Sequence, residues 1–157
     1  LVGLGAKLRE GSEAPFARVL CALANHAAGE PRARAERDAA LQDLRAADAK
    51  HRLGFALTQA AGIELMRGDH AAAAAFAEEA VEVAEALGRP SDVALARATA
   101  ARAAAGVRNG AAELRHAEAL QRLAPDGLSA PAREAIAAAL AVTAGVERRP
   151  RAGGALA

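Results

Sequence analysis

The 157-residue chain has no tryptophan, no tyrosine, three phenylalanines and one cysteine, and each shortage argues against a class of function. With aromatic residues at 2%, stacked bases and sugars would find almost no ring faces, which speaks against nucleic-acid binding through aromatic platforms. A single thiol, Cys21, cannot close an internal disulfide. Its place among apolar neighbours on an expected helix reads as a small buried hydrophobe, in a chain suited to the cytoplasm. No apolar run free of charge reaches eighteen residues, so no segment is expected to span a membrane. An excess of one charge is missing as well. The 20 basic residues are matched by 19 acidic ones, leaving no global field to draw in a polyanion. No secretory signal opens the chain, and a start at Leu1 without Met reads as a piece of a longer protein or as a chain whose first residues are not shown.

Large apolar side chains are also scarce. Hydrophobic residues reach 53%, but about a third of the whole chain is alanine, which buries little area per residue. The expected core is therefore thin and made by helices that approach closely. Lys7 and Lys50 are the only lysines, and this arginine- and alanine-heavy usage carries the imprint of a GC-rich coding sequence rather than a selected guanidinium function.

What the chain does contain is helical punctuation. Over 53–88, Leu53, Leu57, Ala60, Ala61 and Glu64 fall on one helical stripe, and Ala73, Phe76, Ala80, Val83 and Leu87 on a second. Between them stands Gly68-Asp69, where glycine closes one helix in the left-handed conformation and aspartate caps the next. Two helices joined so tightly lie antiparallel. The same reading places a helix over about 13–28, with Ser12 as its N-cap. Another runs over about 31–49, opened by Pro31 and carrying Ala33, Arg37, Ala40, Leu41 and Leu44 inward. Further helices follow over about 92–105, over about 111–123 behind a capping Asn109, and from Ser129-Ala130-Pro131 to about residue 143.

Chemistry-bearing motifs are sparse. His26, His51, His70 and His116 have no H-x-x-x-H spacing and no nearby cysteine, so they read as exposed or cap-adjacent imidazoles, and neither metal nor cofactor is expected. Glu78, Glu79, Glu82 and Glu85 read as a solvated helix face. The arginines of 32–52 are interleaved with Glu36, Asp38, Asp43 and Asp48, which cancels any phosphate-tracking stripe. No phosphate-binding glycine loop with its lysine occurs. An enzyme is not expected.

The inter-helix turns at Gly29-Glu30, Gly68-Asp69 and within 106–110 recur about every 39 to 41 residues, a repeat signature. Gly68-Asp69 at the turn, Ala61 in the first helix and Ala73, Ala77 and Ala80 in the second resemble the tetratricopeptide-repeat (TPR) family. Gly29 with Ala22 and Leu41 repeats the pattern. The stretch AFAEEAVEVAEALGRPSDVALA is similar to the longer repeats in the sensor arms of bacterial ATP-dependent transcriptional activators and related signal-transduction ATPases. Glu64 and Asn25 depart from the family by standing where a large residue is usual. The resemblance implies an all-α fold of antiparallel hairpins stacked as an α-solenoid, about three repeats plus a capping helix. Residues 1–12 would end a preceding helix or cap the N-terminus, 13–144 would form the repeat domain, and 145–157 a loose tail. It further implies a non-catalytic protein–protein interaction module within a larger regulatory protein, the alternative being a homo-oligomerising bundle. In the family register the partner-facing positions would be Phe16, Val19, Leu23, His26, Phe55, Thr58 and Leu65, and the partner a protein, a peptide or a second copy.

Overall fold

The computed structural model describes residues 11–147, and among them there are seven α-helices and no strand. They are α1 (Glu13–Ala28), α2 (Ala33–Ala46), α3 (Lys50–Arg67), α4 (His70–Leu87), α5 (Pro90–Gly106), α6 (Gly110–Gln121) and α7 (Ala130–Glu147). The all-α expectation holds.

Left-handed backbone punctuates this series. It occurs at Gly29, Asp48, Gly68, Gly88, Arg108 and Gly127, one such residue every nineteen or twenty positions. The local reason is clearest at Gly68, where φ is 80°. The turn lets Asp69 N–H reach back to Glu64 O at 3.0 Å, satisfying a carbonyl the helix end would leave bare. Asp69 Oδ1 then accepts from Ala72 N at 3.0 Å and opens α4. Arg108 and Asn109 repeat the device: Asn109 N–H donates to Ala104 O at 2.9 Å, and its side chain accepts from Ala112 N at 3.1 Å. The two expected caps at Asp69 and Asn109 are thus present.

Several boundaries differ from the sequence reading. Pro31 and Arg32 form a turn, and α2 begins at Ala33. Ser12 makes no cap hydrogen bond, because its hydroxyl accepts from Arg52 Nη1 at 2.6 Å instead. Pro90 takes the first position of α5, where its missing N–H costs nothing. The last helix continues to Glu147, so 145–147 are helical. The rest of the expected tail, and the helix expected over 1–10, lie outside the described residues.

Every helix packs on the next, and the odd helices also pack in succession, α1 on α3, α3 on α5 and α5 on α7. Among the described residues the even helices α2, α4 and α6 make no close backbone contact with one another. Buried alanines mark the close approaches: Ala56, Ala60 and Ala61 of α3, Ala73, Ala77 and Ala80 of α4 and Ala94 of α5 have no exposed surface. Such small side chains let neighbouring helices come close. One core cluster joins Val19, Leu23, Leu41, Leu44 and Leu57 across α1, α2 and α3 and continues to Ala100 of α5. A second surrounds Leu120, Leu128 and Ala132.

The left-handed sites yield paired expectations. Gly68→Ala places a Cβ at positive φ and should destabilise by about 1 kcal/mol, whereas Arg108→Gly relieves the same steric conflict at φ 57° and should stabilise by a similar amount. Urea denaturation of the two variants checks the opposite signs.

Candidate interaction surface

An apolar cavity of about 100 Å³ opens to solvent where the first half of α3, the end of α4 and the start of α5 converge. Gly54, Phe55, Ala84, Leu87 and Leu95 line it, with His51, Thr58, Gln59 and Asp92 around them. Gly54 also lets α3 and α4 approach, since a Cβ there would come within 3.1 Å of Val83 Cγ1. Phe55 is 48% exposed and meets the half-buried Phe16 edge to face, with ring centroids 6.0 Å apart. Arg52 lies 5.5 Å over the Phe16 ring and pairs with Glu13, fixing one edge of this aromatic step. Thr58 Oγ1 is occupied, donating to Gly54 O at 2.9 Å. Asp92 also has partners, Arg89 Nε at 3.3 Å and His51 Nε2 at 3.9 Å.

The seven positions expected to face a partner divide. Phe16, Phe55 and Thr58 lie together beside the cavity, and Leu65 is half-buried elsewhere on α3. Val19, Leu23 and His26 are buried, because the stripe they form turns inward; Val19 and Leu23 enter the cluster that holds Leu41, Leu44 and Leu57. Cys21, expected inside, is exposed: it stands on the side of α1 turned away from that cluster.

Two of the histidines expected at the surface are instead buried in ionic clusters between hairpins. Glu64 is 2% exposed, and its Oε1 accepts from His26 Nε2 at 3.0 Å and from Arg37 Nη1. Arg37, 1% exposed, also donates to Asp38 Oδ1 at 2.9 Å and lies 4.7 Å over the Phe76 ring. Arg67 Nη1 donates to His26 O at 3.1 Å. A charge this deeply buried persists only when paired, so α1, α2, α3 and α4 are tied into one register. A polar cavity of about 310 Å³ opens next to the cluster, between Glu30, Arg34, Arg67 and Asp69. Its charges are balanced, with Arg34 lying 3.5 Å from Asp69.

The second cluster joins α4 to α6. Glu78 Oε1 accepts from Arg115 Nη2 at 2.6 Å and from His116 Nε2 at 3.0 Å. On the other side of His116, Arg97 Nη1 approaches Nδ1 at 3.4 Å and Nη2 pairs with Glu85. Burial pushes the Glu78 carboxyl up, but the hydrogen bond and charge of His116, with Arg115, outweigh it and hold it below the ordinary value. Farther up the stack Arg45 pairs bidentately with Glu79 at 2.6 Å, a bond that holds its guanidinium pKa above the usual value against desolvation. Of the glutamates that read as a solvated face, Glu78, Glu79 and Glu85 thus bridge hairpins, while Glu82 is exposed. Sequence carried one signal of this: Arg37 and Glu64, of opposite charge, both sit on apolar stripes, where each needs a counter-charge.

Among the described residues no group of three or more metal-ligating side chains occurs, and no helix is long and apolar enough to cross a membrane. Comparison with models of protein families, with curated proteins and with solved structures finds no match.

Glu64→Ala leaves the buried Arg37 only the half-exposed Asp38 as counter-charge and should cost about 3 kcal/mol, while replacing His26, Arg37 and Glu64 together by leucine or methionine should recover most of that loss. Chemical denaturation of the single and triple variants decides it. At the second junction the sign follows from the depressed Glu78 carboxyl. Its contribution is complete above the unfolded-state pKa of about 4.3 and fades as pH falls through the lower folded value. The stability difference between wild type and Glu78→Gln should accordingly shrink as unfolding is measured at progressively lower pH.

Proposed function

We propose that this chain is a non-catalytic helical-repeat interaction module, a TPR-like α-solenoid of about three hairpins with α7 as the closing helix. Its odd-helix face binds a protein or peptide. The regular left-handed turns support the repeat reading, and so does the packing of odd helices on one another while even helices meet only through side chains. Helices in close contact on one side and spread on the other bend a stack toward the close side, which makes the odd face the concave one. The observation that carries the binding reading is Phe55. A large aromatic ring left 48% exposed beside an apolar cavity is the kind of surface an apolar anchor from a partner covers.

The charged clusters support a structural rather than a chemical role, since Glu64, Arg37 and His26 spend their hydrogen bonds on one another. By its resemblance, the module would serve as a regulatory or scaffolding arm of a larger bacterial signalling or transcription protein. One exposed thiol suits a reducing compartment such as the cytoplasm.

Selection of phage-displayed 15-residue peptides against the full chain tests this reading. Recovered peptides should share an aliphatic or aromatic anchor and lose at least tenfold in affinity against Phe55→Asp, with circular dichroism confirming that the variant stays helical. Peptides that bind wild type and Phe55→Asp equally would overturn the assignment of this face.

A further inference from the structure

The three hairpins can be compared position by position, counting back from the left-handed residue that ends each odd helix: Gly29, Gly68 and Arg108. Four of these positions are Ala56, Ala60, Ala61 and Glu64 in α3 and Ala96, Ala100, Ala101 and Ala104 in α5. All eight are buried, none more than 4% exposed, in a layer where each odd helix packs on the one before it. In α1 the same positions are Ala17, Cys21, Ala22 and Asn25. Here Ala17, Cys21 and Asn25 are exposed, and with Ala39 and Ala40 of α2 they line an open groove of about 490 Å³. The groove has the composition of the two internal junctions and is continuous with them in register.

Charge narrows what it fits. Eleven residues before the closing turn, α5 carries Arg97, whose side chain is 19% exposed and pairs with Glu85 at the end of α4. The matching residue of α1 is Arg18, 60% exposed, turned onto Asp43 of its own hairpin at 2.7 Å. By contrast, Asn25 stands where α3 has Glu64, so a hairpin bringing a buried cation like Arg37 would find no carboxylate there. Along α1 the face therefore matches the α5 junction and not the α3 junction, while α2 brings Glu36 to the groove where α6 brings Arg115 to meet Glu78.

We infer that the α1–α2 groove is a docking surface for a partner's helical hairpin of the α3–α4 type. That hairpin presents small and aliphatic side chains, as Val81 and Ala84 do in the cluster they share with Ala96 and Ala100, a carboxylate at the Glu85 position that takes Arg18 from Asp43, and a basic residue at the Glu78 position to meet Glu36. The inference rests on the repeat register and not on peptide binding at Phe55.

Cys21, the chain's one thiol, reports on occupancy. A copy of residues 50–87 carrying Glu78→Arg, inserted between Glu10 and Gly11 of the full chain, serves as the probe hairpin and holds no cysteine of its own. Cys21 should react with an aromatic disulfide reagent at least tenfold more slowly in the fused chain than in the unfused one. Arg18→Glu should restore reactivity severalfold, and adding Glu85→Arg within the copy should slow it again. A fused chain whose Cys21 reacts at the unfused rate, whether or not the copy is helical by circular dichroism, overturns the inference. So does protection in the unfused chain that grows with its own concentration, because a second copy would then be the occupant. Either failure leaves the Phe55-dependent peptide selection, measured on the unfused chain, unaffected.

Discussion

Alanine is the constraint on which the rest of this structure depends. A helix faced with alanine gains contact area only by bringing its neighbour's backbone close, and α1, α3, α5 and α7 do this in succession. Close approach in turn demands that the chain reverse quickly and at equal intervals. The left-handed residues from Gly29 to Gly127 supply those reversals, and the backbone bonds they close leave few bare carbonyls at helix ends.

Close packing in one layer separates the helices in the other. The even helices make no close backbone contact, and long charged side chains span the gap, Arg45 to Glu79 and Arg115 and His116 to Glu78, while Arg37 of α2 reaches Glu64 of α3. The buried members also impose order on the hairpins. Only a hairpin bearing Glu64 can follow one bearing Arg37 and His26, since either partner alone would be a desolvated charge. Nearly interchangeable alanine faces thus acquire specific neighbours through a few ionic contacts.

The helices and the turns Gly68-Asp69 and Arg108-Asn109 were legible because their determinants are local: a 3.6-residue period, a glycine or asparagine at a chain reversal, a side chain that caps the next helix. The inward stripe of α2 was legible too, including Arg37, since helical phase alone assigned it. What failed were judgements about partners. Ser12 reads as a cap but meets Arg52, forty residues away. Cys21 reads as buried, yet it lies on a side of α1 that no other helix among the described residues covers. His26 reads as accessible and is sealed against Glu64. Of the expected partner face, Phe16, Phe55 and Thr58 are together at the surface, while Val19 and Leu23 are core.

By itself, then, the sequence determined an all-helical chain, the places where it reverses, and the side of each helix that is apolar, because these follow from backbone geometry and neighbours within a few residues. Only the tertiary structure decided which charges are solvated and which are buried, which alanine faces are covered, and where an apolar cavity remains beside Phe55. Each of those depends on the distance between helices, and that distance is set by the summed packing of residues some forty positions apart.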